Sequence, residues 1–165
     1  MFANCYSLRQ LNLNNWAPTT KLTTLASMFN ACYSLTSVGT LSTWVTSNVT
    51  SLASMFSNCW SLTTLPAINT WDLTKVTTIA SICTYCESLK EINWPNMNLP
   101  ACTTMASAFT YCYNLETINL TNLSIPAMTT APSSFCYYDY NLRNVIGLTL
   151  PALNVSFGYC RSLTH

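Results

Sequence analysis

Charge is what this chain most lacks. Of 165 residues only 7% are Asp, Glu, Lys or Arg, six basic and five acidic, for a net charge of +1. An ordinary soluble domain carries about a quarter. Nucleic-acid binding needs clustered cations to displace the counterions of phosphate, and six scattered basic residues exclude a nucleic-acid partner. Histidine is nearly absent too: the only one is His165. No internal imidazole is available to activate any of the many Ser and Thr hydroxyls as a nucleophile. The carboxylates Asp72, Glu87, Glu91, Glu116 and Asp139 form no pair whose spacing suggests joint acid–base work. These shortages argue against an enzyme and against a cofactor. Half of the residues are hydrophobic, yet Thr, Ser and Asn interrupt every apolar stretch well short of the 18 or more residues that a spanning helix requires. Membrane insertion is not expected. The opening Met1-Phe2-Ala3-Asn4-Cys5 lacks the basic and then apolar order of a signal peptide. Removal of such a segment, or a longer parent chain, accounts for that.

What the chain does have is a period. The leucines that follow Ser or Asn are Leu8, Leu35, Leu62, Leu89, Leu115, Leu142 and Leu163, spaced 27, 27, 27, 26, 27 and 21 residues apart. Three residues before each anchor stand Cys5, Cys32, Cys59, Cys86 and Cys112, then Asp139, then Cys160. Six before it stand Phe2, Phe29, Phe56, Cys83, Phe109, Cys136 and Phe157. One domain over residues 1–165, built of six to seven repeats of 21–27 residues, follows.

Each repeat carries two local patterns. From the anchor it reads L-x-x-L-x-L, as in Leu8-Leu11-Leu13 and Leu115-Ile118-Leu120, and the alternating end suits a short strand with one buried face. Further on, Val49, Leu52, Met55, Phe56 and Cys59 recur in steps of three and four, as one face of a helix does. Leu22, Leu25, Met28, Phe29 and Cys32 repeat the pattern, as do Val76, Ile79, Ile82, Cys83 and Cys86. Thr20, Ser47 and Thr74 are placed to cap these helices. Ala26, Ala53, Ala80 and Ala106 would let neighbouring helices approach. A single repeat cannot bury both faces, so repeats must stack. The expected fold is an α/β repeat solenoid, a leucine-rich-repeat stack of short parallel strands with short helices on the opposite side. Pro66, Pro95, Pro100, Pro126 and Pro151 fall at or after strand ends, where a missing N–H is tolerated.

The segments MFANCYSLRQLNL, MFNACYSLTSV and MFSNCWSLTTL resemble the BspA-type leucine-rich repeats of bacterial surface proteins, and AFTYCYNLETINL resembles that family's shorter variant. The resemblance spans essentially the whole chain. It implies a horseshoe or straight solenoid, an extracellular or cell-surface location and adhesion, and it implies no catalytic residue. Departures are Cys83 and Cys136 at the Phe position, Asp139 at the Cys position and the short last spacing. They bear on the packing of the fourth and sixth repeats.

Nine cysteines invite a disulfide or metal reading. Six belong to the ladder before the anchor, where a thiol packs as a small hydrophobe. Disulfides along it are disfavoured because stacking holds the side chains parallel, and the odd count leaves a thiol over. Cys83 and Cys86 form a C-x-x-C near Cys102, but a zinc site needs a fourth ligand and the only histidine is terminal. No metal site is expected. The sequons at Asn48, Asn119, Asn122 and Asn154 number what chance gives in so Asn-, Ser- and Thr-rich a chain.

Aromatics are the informative feature. Two residues before the anchors stand Tyr6, Tyr33, Trp60, Glu87, Tyr113, Tyr140 and Arg161. Four before them, the second half carries Tyr85, Tyr111, Tyr138 and Tyr159 where the first half has Asn4, Ala31 and Asn58. Trp16, Trp44 and Trp71 form a third series. The first position tolerates Glu and Arg and should face solvent. Ring ladders stabilise a stack, and an exposed aromatic stripe marks a binding surface; the two roles are compatible. Arg9, Lys90, Glu91, Glu116 and Arg143 fall one or two residues after an anchor and mark the strand face as wet.

Two function classes follow. The first is a surface-exposed, non-enzymatic scaffold that recognises a host or cell-surface protein or glycan. The second is a structural subunit that associates head to tail into a filament or surface layer, because neither end shows a polar cap.

Overall fold

The computed structural model describes residues 1–14, 16, 20–148 and 156–163. Pro151, the Asn154 sequon and His165 lie outside the described residues. Regular structure is sparse. Three short strands, β1 (Glu91–Asn93), β2 (Thr117–Asn119) and β3 (Asn144–Ile146), form one parallel sheet in that order. Ile92 is registered on Ile118 and Ile118 on Val145. Isolated parallel bridges join Gln10 to Ser37, Ser51 to Thr78, Thr78 to Thr104 and Asn98 to Ser124. Among the described residues one 3-10 turn is present, Ile68–Thr70.

The α/β expectation is therefore corrected: the described residues contain no α-helix, and strand is confined to that small sheet. The reason lies in where the backbone donors go. Between Leu25 and Cys32, the N–H groups of Leu25, Ser27, Phe29 and Ala31 donate to Ser51, Ala53, Met55 and Ser57 of the next repeat at 2.9–3.0 Å. Those of Met28, Asn30 and Cys32 donate to the carbonyl three residues back at 3.1–3.2 Å. An α-helix needs every donor to reach four residues back; here every other one leaves the segment. The same alternation runs through Leu52–Asn58 and Ile79–Tyr85. Ser27, Ala31, Ser54, Asn58, Ser81 and Tyr85 have φ of 55–60°, the left-handed third position of type II turns, which no α-helix accommodates. Apolar residues every three to four positions thus reflect successive β-turns, each pointing one side chain inward. Ser, Thr and Asn, poor helix formers that bond readily to nearby backbone, are suited to this.

The features read as helical are reassigned accordingly. Thr20 and Thr74 cap nothing: the Thr20 carbonyl accepts from Asn48 Nδ2, and Thr74 donates to Asp72 Oδ1 at 2.6 Å. Ser47 likewise precedes a run of turns rather than a helix. Ala26, Ala53, Ala80 and Ala106 sit at the second position of a turn. Their N–H groups donate to the hydroxyls of Thr24, Ser51, Thr78 and Thr104 at 3.1–3.2 Å.

The core runs along the stack. Leu35, Leu62, Leu89, Leu115 and Leu142 are fully buried. Phe2, Phe29 and Phe56 stack at 5.7 and 5.4 Å. Where Cys136 replaces Phe, the preceding residue changes in compensation: Phe135 fills the position of Met28, Met55 and Ala108 and meets Phe109 edge-on at 5.1 Å; before Cys83 the same position holds Ile82. Trp44 and Trp71 are buried and stacked at 5.6 Å, so the third aromatic series is core. Pro66 and Pro95, freed from donating, accept instead from Trp94 Nε1 and Asn69 Nδ2.

Candidate functional site

The exposed aromatics form two rows because each occupies a fixed position of the turn unit and the repeats stack in register. The inner row is Tyr85, Tyr111, Tyr138 and Tyr159, whose φ values of 60–64° are those that Asn4, Ala31 and Asn58 adopt in the first repeats. Neighbouring rings stack at 4.4, 5.2 and 4.6 Å with planes within 10°. The outer row is interrupted. Tyr6, Tyr33 and Trp60 stack at 5.0 and 4.1 Å; Glu87 takes the next position; Tyr113 and Tyr140 stack at 5.8 Å, and the Arg161 guanidinium lies 5.6 Å over Tyr140. Edge contacts join the rows, Tyr111 to Tyr113 at 6.2 Å and Tyr138 to Tyr140 at 6.1 Å. In the second half the two rows are therefore one plate. Tyr6, Trp60, Tyr140 and Tyr159 are exposed and Tyr33, Tyr85, Tyr111, Tyr113 and Tyr138 half-buried.

Sequence reasoning missed one member. Tyr137 meets Tyr138 at 4.5 Å and Tyr159 at 5.3 Å, both edge-on. The available signal was Gly158: a Cβ there would run into the Tyr137 ring. Packing against neighbouring groups, then nearby phenols and, at Tyr113, Glu87, raises the Tyr111, Tyr113 and Tyr137 phenols above their ordinary range.

Arg9, Lys90, Glu91, Glu116 and Arg143 are all exposed. Lys90, Glu116 and Arg143 follow one another in a column, each carbonyl accepting the next repeat's N–H at 2.9–3.0 Å. Sign alternates along it, so it presents no patch of one charge.

The cysteine ladder lies inside. Cys32, Cys59, Cys86 and Cys112 are fully buried, and Cys5 and Cys160 partly so. Each buried thiol donates to a carbonyl of the preceding repeat: Cys32 to Phe2, Cys59 to Phe29, Cys86 to Phe56 and Cys112 to Cys83, at 3.0–3.2 Å. Burial pushes the Cys59, Cys86 and Cys112 thiols well up, which makes them unreactive. Among the described residues no cluster of Cys, His, Asp or Glu is arranged to hold a metal. Asp139, the ladder's exception, is fully buried. Its Oδ1 accepts the Cys112 N–H at 2.7 Å, and its Oδ2 has no partner. Burial raises its pKa to about 8.

No curated protein and no solved structure matches this chain. A family described as "Mycoplasma protein of unknown function, DUF285" matches residues 1–123, the stretch that holds the first five anchor leucines and the first five ladder cysteines. The match covers well over half of the chain, and the chain belongs to that family.

Proposed function

We propose that this protein is a non-enzymatic recognition scaffold of the BspA-type repeat class, exposed at a cell surface, which binds a host or cell-surface protein or glycan through its two tyrosine rows. The observation that supports this is the inner row. Three stacked ring pairs contribute roughly 0.5–1.5 kcal/mol each. Four left-handed tyrosines cost roughly 1–2 kcal/mol each, at a position where Asn4 and Asn58 use a residue that tolerates that conformation. Stacking and the conformational cost are thus of similar size, roughly 1.5–4.5 against 4–8 kcal/mol, so ring stacking alone is a weak reason for tyrosine to recur here. The rows lie at the surface, are joined into one aromatic plate in the second half and include the exposed Tyr140 and Tyr159, as protein and glycan contact surfaces are aromatic.

The test is a binding comparison on whole cells or immobilised surface extracts. The wild-type chain is set against Tyr111→Asn/Tyr138→Asn, which breaks the inner row while keeping residues suited to the left-handed backbone. Loss of binding in the variant at unchanged thermal stability is the expected result. Equal binding by both overturns the proposal. Binding that appears only as the chain polymerises, followed by light scattering, assigns the activity to assembly instead.

A further inference from the structure

We infer that the ligand of the tyrosine plate is an uncharged, linear polysaccharide lying along the stack and held by the row of phenol hydroxyls. This rests on the reading above that the plate is the binding surface. Aromatic rings usually meet sugars face to face. Here the faces are taken: Tyr111 is stacked on both Tyr85 and Tyr138, and Tyr138 on both Tyr111 and Tyr159, with planes within 10°. With its faces covered, the inner row has ring edges and hydroxyls left to offer a ligand. The positive edge of a ring attracts oxygen acceptors, and a phenol O–H both donates and accepts. A ligand dense in hydroxyls and ether oxygens satisfies both.

Spacing selects among such ligands. The rungs repeat at 4.4–5.2 Å. An extended polypeptide presents groups on one side only every second residue, about 6.6–6.8 Å, and drifts out of step with the rungs within two of them. A linear chain of pyranose rings advances by roughly one ring length per residue and carries hydroxyls on both edges of every ring, so each rung meets a hydroxyl, though not the same one at successive residues. Charge selects further. Glu87 and Arg161 are the charged members of the outer series and have opposite signs. With no cluster of cations along the rows, no net positive charge favours a polyanion. Exposed amides flank the plate: Asn114 donates to the Glu87 carbonyl and Asn141 to that of Tyr113, both at 2.8 Å. These bonds use the amide nitrogens, and the amide oxygens remain as further acceptors at the same repeat.

The test is affinity electrophoresis of the full chain through gels containing neutral linear polysaccharides (β-1,4-glucan, β-1,3-glucan, galactomannan) or carboxylated and sulfated ones. The variants are Tyr111→Phe/Tyr138→Phe, which removes hydroxyls and keeps the stack, and Tyr111→Asn/Tyr138→Asn, which removes the row. Retardation by at least one neutral polymer is expected, unchanged at high salt and weakened about tenfold or more in the Phe variant. Retardation by none of the neutral polymers, or retardation that the Phe variant retains, overturns the inference. If a charged polymer or a protein film binds the Phe variant but not the Asn variant, the hydroxyl row is wrong and the tyrosine surface stands. If binding survives in the Asn variant, both fall.

Discussion

Asp139 makes the stability of this protein depend on pH in an unusual direction. The carboxyl is fully buried in a position that other repeats give to a thiol, with one oxygen on the Cys112 N–H at 2.7 Å and the other unpartnered. Cys112, Cys136 and Cys160 are the titratable groups beside it, and none of them supplies a compensating positive charge. Its folded pKa is about 8, against about 3.9 in an unfolded chain. Between those values the folded state holds a proton that the unfolded state releases, so stability falls as pH rises, by about 1.4 kcal/mol per pH unit. From pH 5 to pH 8 the accumulated loss is roughly 3–4 kcal/mol, a large share of a small domain's total. Asp139→Asn keeps the oxygen for Cys112 and cannot ionise. Denaturant unfolding of both chains at pH 5, 6.5 and 8, followed by tryptophan fluorescence, isolates the effect, because groups titrating elsewhere cancel in the difference. The stability of the variant relative to wild type should rise by about 3–4 kcal/mol from pH 5 to pH 8. A difference that stays constant across the three pH values refutes the buried, proton-holding carboxyl.

Three further outcomes follow from the packing. Native labelling with a thiol reagent should modify at most Cys5 and Cys160, the two partly exposed cysteines, and denaturation should expose the rest; rapid native labelling of five or more contradicts the ladder. Phe56→Ala, at a fully buried mid-stack site, should cost about 3–5 kcal/mol, whereas Thr64→Ala, on the exposed surface, should cost well under 1 kcal/mol; equal costs measured by chemical denaturation mean that inward and outward positions are misassigned. Gly158→Ala forces its Cβ into the Tyr137 ring and should lower the melting temperature or displace Tyr137, whereas Gly158→Ala/Tyr137→Ala should recover most of that loss in a double-mutant cycle.

That the chain repeats, that the mid-stack anchor leucines are buried and that aromatics recur at fixed positions were legible in the sequence. Each is a question of which residue type recurs at which spacing, and burial follows from that directly. The Phe, Cys and Leu ladders needed no coordinates. The secondary structure of each repeat was not legible. An apolar residue every three to four positions satisfies both a helix and a run of β-turns, and only the destination of the N–H groups separates them. Ser27 donates to Ala53, not within its own segment, and a partner 26 residues away is invisible to local pattern. The same holds for the inner tyrosine row. That Tyr85, Tyr111, Tyr138 and Tyr159 recur was plain. That they recur in a left-handed conformation, face against face, was decided by the stacking. Asp139 shows the division most clearly. Its chemistry is written in the chain, but its burial beside Cys112, and so its proton, belongs to the tertiary structure, because removing a carboxylate from water requires neighbours that local sequence does not supply.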